Sequence, residues 1–207
     1  MATAKRDLLL ETAERLFYAE GFHATGIDRI VQAAGVVRMT LYNHFPSKQA
    51  LVAAVLARRH ARFMAAVDTA VENASAGQAT WALVDAHGDW LRTVGQHGCI
   101  LMKALGEFTE HAPEIREQAV AAKQDLHRRL RDALARDGYL DNGDADDGDA
   151  DDGAPEDGDL TTRLFLVLEG ANAGVPVFGA EATIRHARAS IHALLSAAST
   201  QDQTEVR

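Results

Sequence analysis

Between positions 38 and 48 the chain carries Arg38, Thr40, Tyr42, Asn43, His44 and Lys48, a run of side-chain hydrogen-bond donors packed into three helical turns. The natural complement of such a face is a surface crowded with acceptors. A guanidinium forks onto guanine O6 and N7, a carboxamide pairs with adenine N6 and N7, and thymine offers a methyl group to an apolar neighbour. Arg38 and Asn43 supply the first two chemistries, and Met39 and Thr40 can meet the methyl. Lys48 stands at the start of the following helix, where a phosphate clamp belongs. Together these residue types can read base edges and grip the backbone of a duplex.

Reading a groove requires a short helix held by its back. Leu41 and Phe45 anchor one face of residues 38–44, and Phe45-Pro46 ends that helix. A preceding helix over 27–34 has Ile27, Ile30, Val31 and Ala34 at i, i+3, i+4 and i+7. Thr25 stands in the N-cap position of that helix, and Gly35 makes the turn between the two. Two short helices joined by a glycine turn form a helix-turn-helix unit. A first helix over 4–20 carries Leu9, Ala13, Leu16 and Phe17, and Gly21 stops it. Ser47 caps a fourth helix that runs to about 73.

The run from Thr25 to Leu51 resembles the TetR family of bacterial transcriptional regulators. It carries Thr25, Ala34-Gly35-Val36, Tyr42, His44, Phe45, Lys48 and Leu51 at that family's spacings, with Phe17 and Gly21-Phe22 upstream. The resemblance covers residues 4–64. It implies that Thr25, Tyr42, His44 and Lys48 hold phosphates, that Arg38, Met39, Thr40 and Asn43 face bases, and that Arg29 reaches either. Tyr42 and His44 have the alternative of packing against the first helix. Val37 departs from the pattern, because a polar residue there would cap the recognition helix. The family works as a two-fold dimer with recognition helices about 34–36 Å apart, so a partly palindromic operator is implied.

The rest of the chain reads as helix as well: 78–94, 101–110, 113–136, 160–178 and 182–198, after a linker at 75–77. The expected class is all-α, with a three-helix head (4–64, helix-turn-helix at about 27–46) joined by a long fourth helix to a larger bundle (75–200). By resemblance that bundle binds a small-molecule effector and dimerises through its last two helices. Gly170, Ala171, Ala173, Gly174, Ala187, Ala189 and Ala197 would let those helices approach a second copy. Trp81, Trp90, Met102, Leu105, Phe108, Phe165 and Leu168 are candidate pocket walls, and His87, Glu169 and Asn172 candidate polar contacts. The implied mechanism is a population shift in which ligand favours a state with misplaced heads, relayed through the fourth helix as the one covalent link.

His87, His97, Cys99 and His111 do not fall into a recognised zinc spacing, so neither metal nor cofactor is expected. Cys99 has no resolving partner in the chain, which also weighs against a redox sensor. No phosphate loop, nucleophile elbow or paired catalytic carboxylate occurs, which argues against an enzyme. A ligand-independent architectural DNA binder is the other alternative, and the long body argues against it.

The net charge is −9, which is unexpected for a partner of DNA. Residues 1–62 nevertheless hold nine Lys/Arg against five Asp/Glu, a balance of +4, and the remainder holds twelve against twenty-five. Ten of those acids fall within 141–159, a stretch without Lys or Arg that is expected to be a disordered loop. Asp147, Asp149 and Asp151 begin like a calcium loop, but Asp152 replaces the needed glycine and Gly158 the final glutamate. The single cysteine suits a reducing cytoplasm. Charges at Lys5, Arg6, Asp7, Glu11 and Glu14 exclude a secretory core at the start, and Glu169 and Asn172 interrupt the most apolar stretch, so no membrane partner is expected.

Overall fold

The computed structural model describes residues 2–108, 112–140 and 160–205, with side chains described from 4 to 199 within those spans. Among the described residues there are nine helices and no strand: α1 (Ala2–Glu20), α2 (Ile27–Ala34), α3 (Arg38–His44), α4 (Lys48–Glu72), α5 (Ala79–Thr93), α6 (Ile100–Glu107), α7 (Pro113–Arg136), α8 (Leu160–Phe178) and α9 (Ala180–Glu205). The all-α expectation holds. The acidic stretch 141–159 and His111 lie outside the described residues.

The chain forms two compact units, Met1–Phe63 with Cys99–Gln124, and Met64–Gly98 with Asp125–Arg207. This division differs from the expected one at 75–77. It falls inside α4 and inside α7, and it puts α6 with the head. The backbone therefore passes between units three times, and α4 is not the one covalent link. Hydrophobic periodicity could not reveal this, because α6 is apolar enough to suit either core.

In the first unit the apolar stripes of α1 to α4 converge. Leu9, Phe17, Phe22, Ile30, Leu41, Leu51 and Leu56 are fully buried; α6 adds Ile100 and Ala104 to the same core, and Phe108 joins it just past the helix end. An ion cluster centred on the buried Glu14 fastens α1 to α4. Glu14 accepts from Arg59 at 3.0 Å and from Arg62 at 3.3 Å, while the Arg59 guanidinium lies 4.0 Å from the centre of the Tyr18 ring. Glu107 reaches the α1–α2 turn, accepting the N–H groups of Phe22 (3.1 Å) and His23 (2.7 Å).

In the second unit, helix ends are finished by charges distant in sequence. Gln78 offers α5 no side-chain cap. Asp137 caps it instead, accepting the N–H groups of Ala79 (2.9 Å) and Thr80 (2.7 Å). Its neighbour Arg136 donates to the Val71 carbonyl at 2.8 Å, in the last turn of α4. Arg129 and Asp68 pair between α7 and α4 at 2.6 and 3.1 Å. Arg92 and Glu181 join α5 to α9 at 2.8 Å, and Arg188 pairs with Asp85 between the same two helices.

The connection before α6 depends on Gly98, whose φ is +83° and whose Cβ, if present, would lie 3.3 Å from the Asn172 carbonyl oxygen. That carbonyl belongs to α8 four residues before Pro176, which has no N–H to offer it. The α8–α9 packing uses some of the small residues expected at a dimer contact. A Cβ on Gly174 would lie 3.1 Å from Thr183, and Ala171 and Ala187 sit in an intrachain core with Leu91, Val175 and Ile184. These three therefore serve the fold of one chain, and Gly170, Ala173, Ala189 and Ala197 remain exposed.

Candidate nucleic-acid interface

α3 is held from behind. Leu41 is fully buried and Phe45 nearly so, and Phe45 leaves the helix in an extended conformation ahead of Pro46. Between α2 and α3, Gly35 adopts φ +64°, and the N–H of Val36 returns to the Val31 carbonyl at 3.0 Å. Glycine takes this left-handed conformation without the steric cost a side chain would incur. The turn thus closes α2 and redirects the chain into α3. Val37 precedes α3 in an extended conformation, gives no side-chain cap, and is 68% exposed, as its apolar side chain implied. On the far side, Ser47 Oγ accepts the Ala50 N–H at 3.0 Å and caps α4, so Lys48 opens that helix as expected.

The outward face of α3 presents Arg38, Met39, Tyr42 and Asn43, all exposed, with Thr40 and His44 half-buried along its flank. Met39 is 68% exposed and Tyr42 is 42% exposed. An exposed apolar methionine on so small a helix is poorly placed for stability and well placed for a thymine methyl. Arg29, exposed on α2, donates to Glu20 at 3.3 Å. Arg38 donates through Nε (3.1 Å) and Nη2 to one carboxylate oxygen of Asp28, and these contacts hold its pKa above the ordinary guanidinium value. Lys48 directs its ammonium toward the His23 carbonyl at 3.5 Å. Burial lowers its pKa and the nearby Glu107 carboxylate opposes that shift.

Thr25 is a correction. It is neither the cap of α2 nor available to a phosphate. Gly26 occupies the N-cap position, and the Thr25 side chain is fully buried with its hydroxyl donating to the Gly21 carbonyl at 2.7 Å. The hydroxyl closes the end of α1, so its position in the motif reflects packing. The partners Asp28, Glu20 and Glu107 were missed. Nothing in the sequence distinguishes Asp28 from any acid in the first turn of a helix, and Glu107 acts on residues 84 and 85 positions away.

The candidate pocket residues divide between the units. Phe108 is a core residue of the first, packed edge-on against Phe22 with ring centres 5.4 Å apart. Met102, in the same unit, is 50% exposed. In the second unit His87 and Asn172 are buried, and Asn172 Nδ2 lies within hydrogen-bond distance of His87 Nε2 (3.3 Å), the Leu168 carbonyl (3.2 Å) and Glu169 (3.5 Å). Phe165 is half-buried with its ring edge-on to His127, Trp90 is half-buried, and Trp81 lies beneath the Arg188 guanidinium at 4.8 Å. Among the described residues, no group of three or more His, Cys, Asp or Glu is arranged to hold a metal.

Residues 9–55 match the family described as bacterial regulatory proteins, tetR family. The HTH-type transcriptional activator FasR of Mycolicibacterium smegmatis is 32% identical over 138 residues, 66% of this chain and 62% of its own length. The HTH-type transcriptional regulator TtgR of Pseudomonas putida is 31% identical over 145 residues, 65% of this chain and 66% of its own. The match thus spans less than two thirds of the length of either relative. A TetR-family transcriptional regulator from Streptomyces coelicolor superposes with a TM-score of 0.81 at 28% identity, covering 95% of this chain and 97% of that one. The chain belongs to the TetR family. The family is one of transcriptional regulators rather than enzymes, and the α2–α3 unit of this TetR-family chain is its helix-turn-helix. No helix of the described residues is long and apolar enough to cross a membrane.

Proposed function

We propose that the chain is a ligand-responsive transcriptional repressor that binds a partly palindromic operator as a homodimer and releases it when a small molecule occupies the second unit. The observation that carries this reading is the α3 face. Arg38, Met39, Tyr42 and Asn43 project from a helix anchored by Leu41 and Phe45, leaving base-reading groups exposed on a rigid support. The first unit also holds the basic excess of residues 1–62.

Pairing of two chains is supported by α8. Leu166 (62% exposed), Gly170, Ala173 and Val177 (70%) recur at i, i+4, i+7 and i+11, an apolar exposed stripe along one helix. α9 offers exposed Ala189 and Ala197 beside it. Two heads related by a two-fold axis then meet two half-sites one helical turn apart. The effector is read by the second unit, with His87, Glu169 and Asn172 as polar contacts and Trp81, Trp90 and Phe165 as walls. The cytoplasm, where DNA lies, is the site of action.

The test is selection from a pool of randomised duplexes, followed by titration of the enriched sequence. A dimer should enrich an inverted repeat, with affinity that falls steeply as salt rises. A small-molecule panel should contain compounds that abolish binding. Enrichment of no sequence sinks the regulator reading, whereas enrichment insensitive to every compound leaves an architectural binder.

A further inference from the structure

The Arg38–Asp28 pair does more than neutralise a surface charge. Arg38 is the first residue of α3, and Asp28 lies in the first turn of α2, ten positions earlier across the Gly35 turn. Both hydrogen bonds end on Asp28 Oδ1, one from Nε and one from Nη2. A guanidinium has five N–H donors in a fixed fork. Two are used on its Nε side, and both Nη1 hydrogens and one on Nη2 remain. Two of these, one on each Nη, lie on the end of the fork, an edge that can pair with guanine O6 and N7. The geometry holds the long side chain without obstructing its reading edge.

On α3 itself Arg38 also feels Tyr42, but its hydrogen bonds go to Asp28. Val37 offers no cap to the start of the helix, and the Arg38 side chain is 57% exposed. An unpaired arginine there would sample many rotamers and could settle on phosphates as readily as on a base. The Asp28 side chain is 77% exposed on the same edge. A backbone seated out of register would bring phosphate against that carboxylate and be repelled, since specificity gains from penalties on the wrong partner.

We propose that Asp28 is a specificity-determining positioning residue: it aims the Arg38 fork at a guanine and disfavours duplexes seated elsewhere. This rests on the regulator reading above and adds the residue that sets its discrimination.

Selection from randomised duplexes tests it with the wild-type chain, Asp28→Asn, Asp28→Ala and Arg38→Ala. Arg38→Ala identifies the guanine position by erasing its preference. At that position alone, both Asp28 variants should lose roughly three- to tenfold of the preference for guanine. Their affinity for a random-sequence 30-base-pair duplex should rise severalfold, while Asp28→Glu recovers part of the preference. Thermal melting verifies that the variants fold. If the Arg38-dependent position is read equally well by both Asp28 variants, the inference is wrong. If preference falls equally at every position, Asp28 merely supports the fold and the inference is again wrong. A wild-type chain that enriches no motif overturns the regulator reading itself, a different result from either.

Discussion

Individual side chains in the head divide into those that can meet DNA and those that hold its frame. Thr25 and Lys48 separate the two roles. Removing the Thr25 hydroxyl by Thr25→Val deletes one buried hydrogen bond, a loss of about 1 kcal/mol in unfolding free energy. The dependence of DNA affinity on salt should stay unchanged, because no phosphate contact is lost. Lys48→Ala should have the opposite profile. It should weaken binding to all sequences alike and flatten the plot of log affinity against log salt by about 1. A Thr25→Val chain with a flattened salt dependence would return Thr25 to the phosphate contacts. In the second unit, Glu181 is held below the ordinary carboxylate value of 4.5, chiefly by its hydrogen bond from Arg92. The folded pKa lies below the unfolded one, so the contribution is complete above about 4.5 and fades as pH falls through the lower folded value. Thermal melts of Glu181→Gln should therefore fall slightly below wild type at pH 7, and the gap should close as pH falls through that lower folded value. A gap that persists into acid would mean that the ion pair is not its source.

Elements with strong apolar periodicity and clear stop signals were legible in the sequence, and α2, α3, α7 and α8 follow their expected bounds. α6 was placed too late: it begins at Ile100, with the extended Cys99 before it, and ends at Glu107. What the sequence did not display is which core claims an element. Phe108 has the same apolar signature in a ligand pocket or a head core, and only the fold sets it against Phe22. The same limit hid Asp137, because a cap supplied from 58 positions away leaves no local pattern at Ala79. The interface face of α3 was legible because helical spacing alone fixes which of seven residues point outward. Connections have their own sharp requirements, and Gly35 and Gly98 separate two of them. Both adopt positive φ, so Gly→Ala at either should cost about 1–2 kcal/mol in unfolding free energy. A Cβ at Gly35 meets open space, whereas at Gly98 it meets the Asn172 carbonyl. Gly98→Ala should therefore be the more destabilising of the two in urea titrations. Equal losses would mean that the carbonyl yields freely.

For the whole molecule, the proposed assembly turns on the α8 stripe. Leu166→Asp or Val177→Asp places a charge on an exposed apolar face, so each chain should keep its helical signal while its melting temperature loses the part that dimerisation supplies. Sedimentation should show wild type as a dimer and each variant as a monomer, with much weaker operator binding because one head cannot span two half-sites. A dimer that survives both charges would move the contact to another face. The Arg136-Asp137 pair carries a different consequence for the whole chain. Arg136 satisfies a carbonyl where α4 ends, and Asp137 satisfies the amides where α5 begins. Adjacent residues thus match the negative and positive poles of two successive helices. Exchanging their order would preserve composition and net charge while opposing both poles. Fraying at the end of α7 must also release the amides of Ala79 and Thr80, so their exchange with deuterated water reports local unfolding more than fifty residues further along the chain.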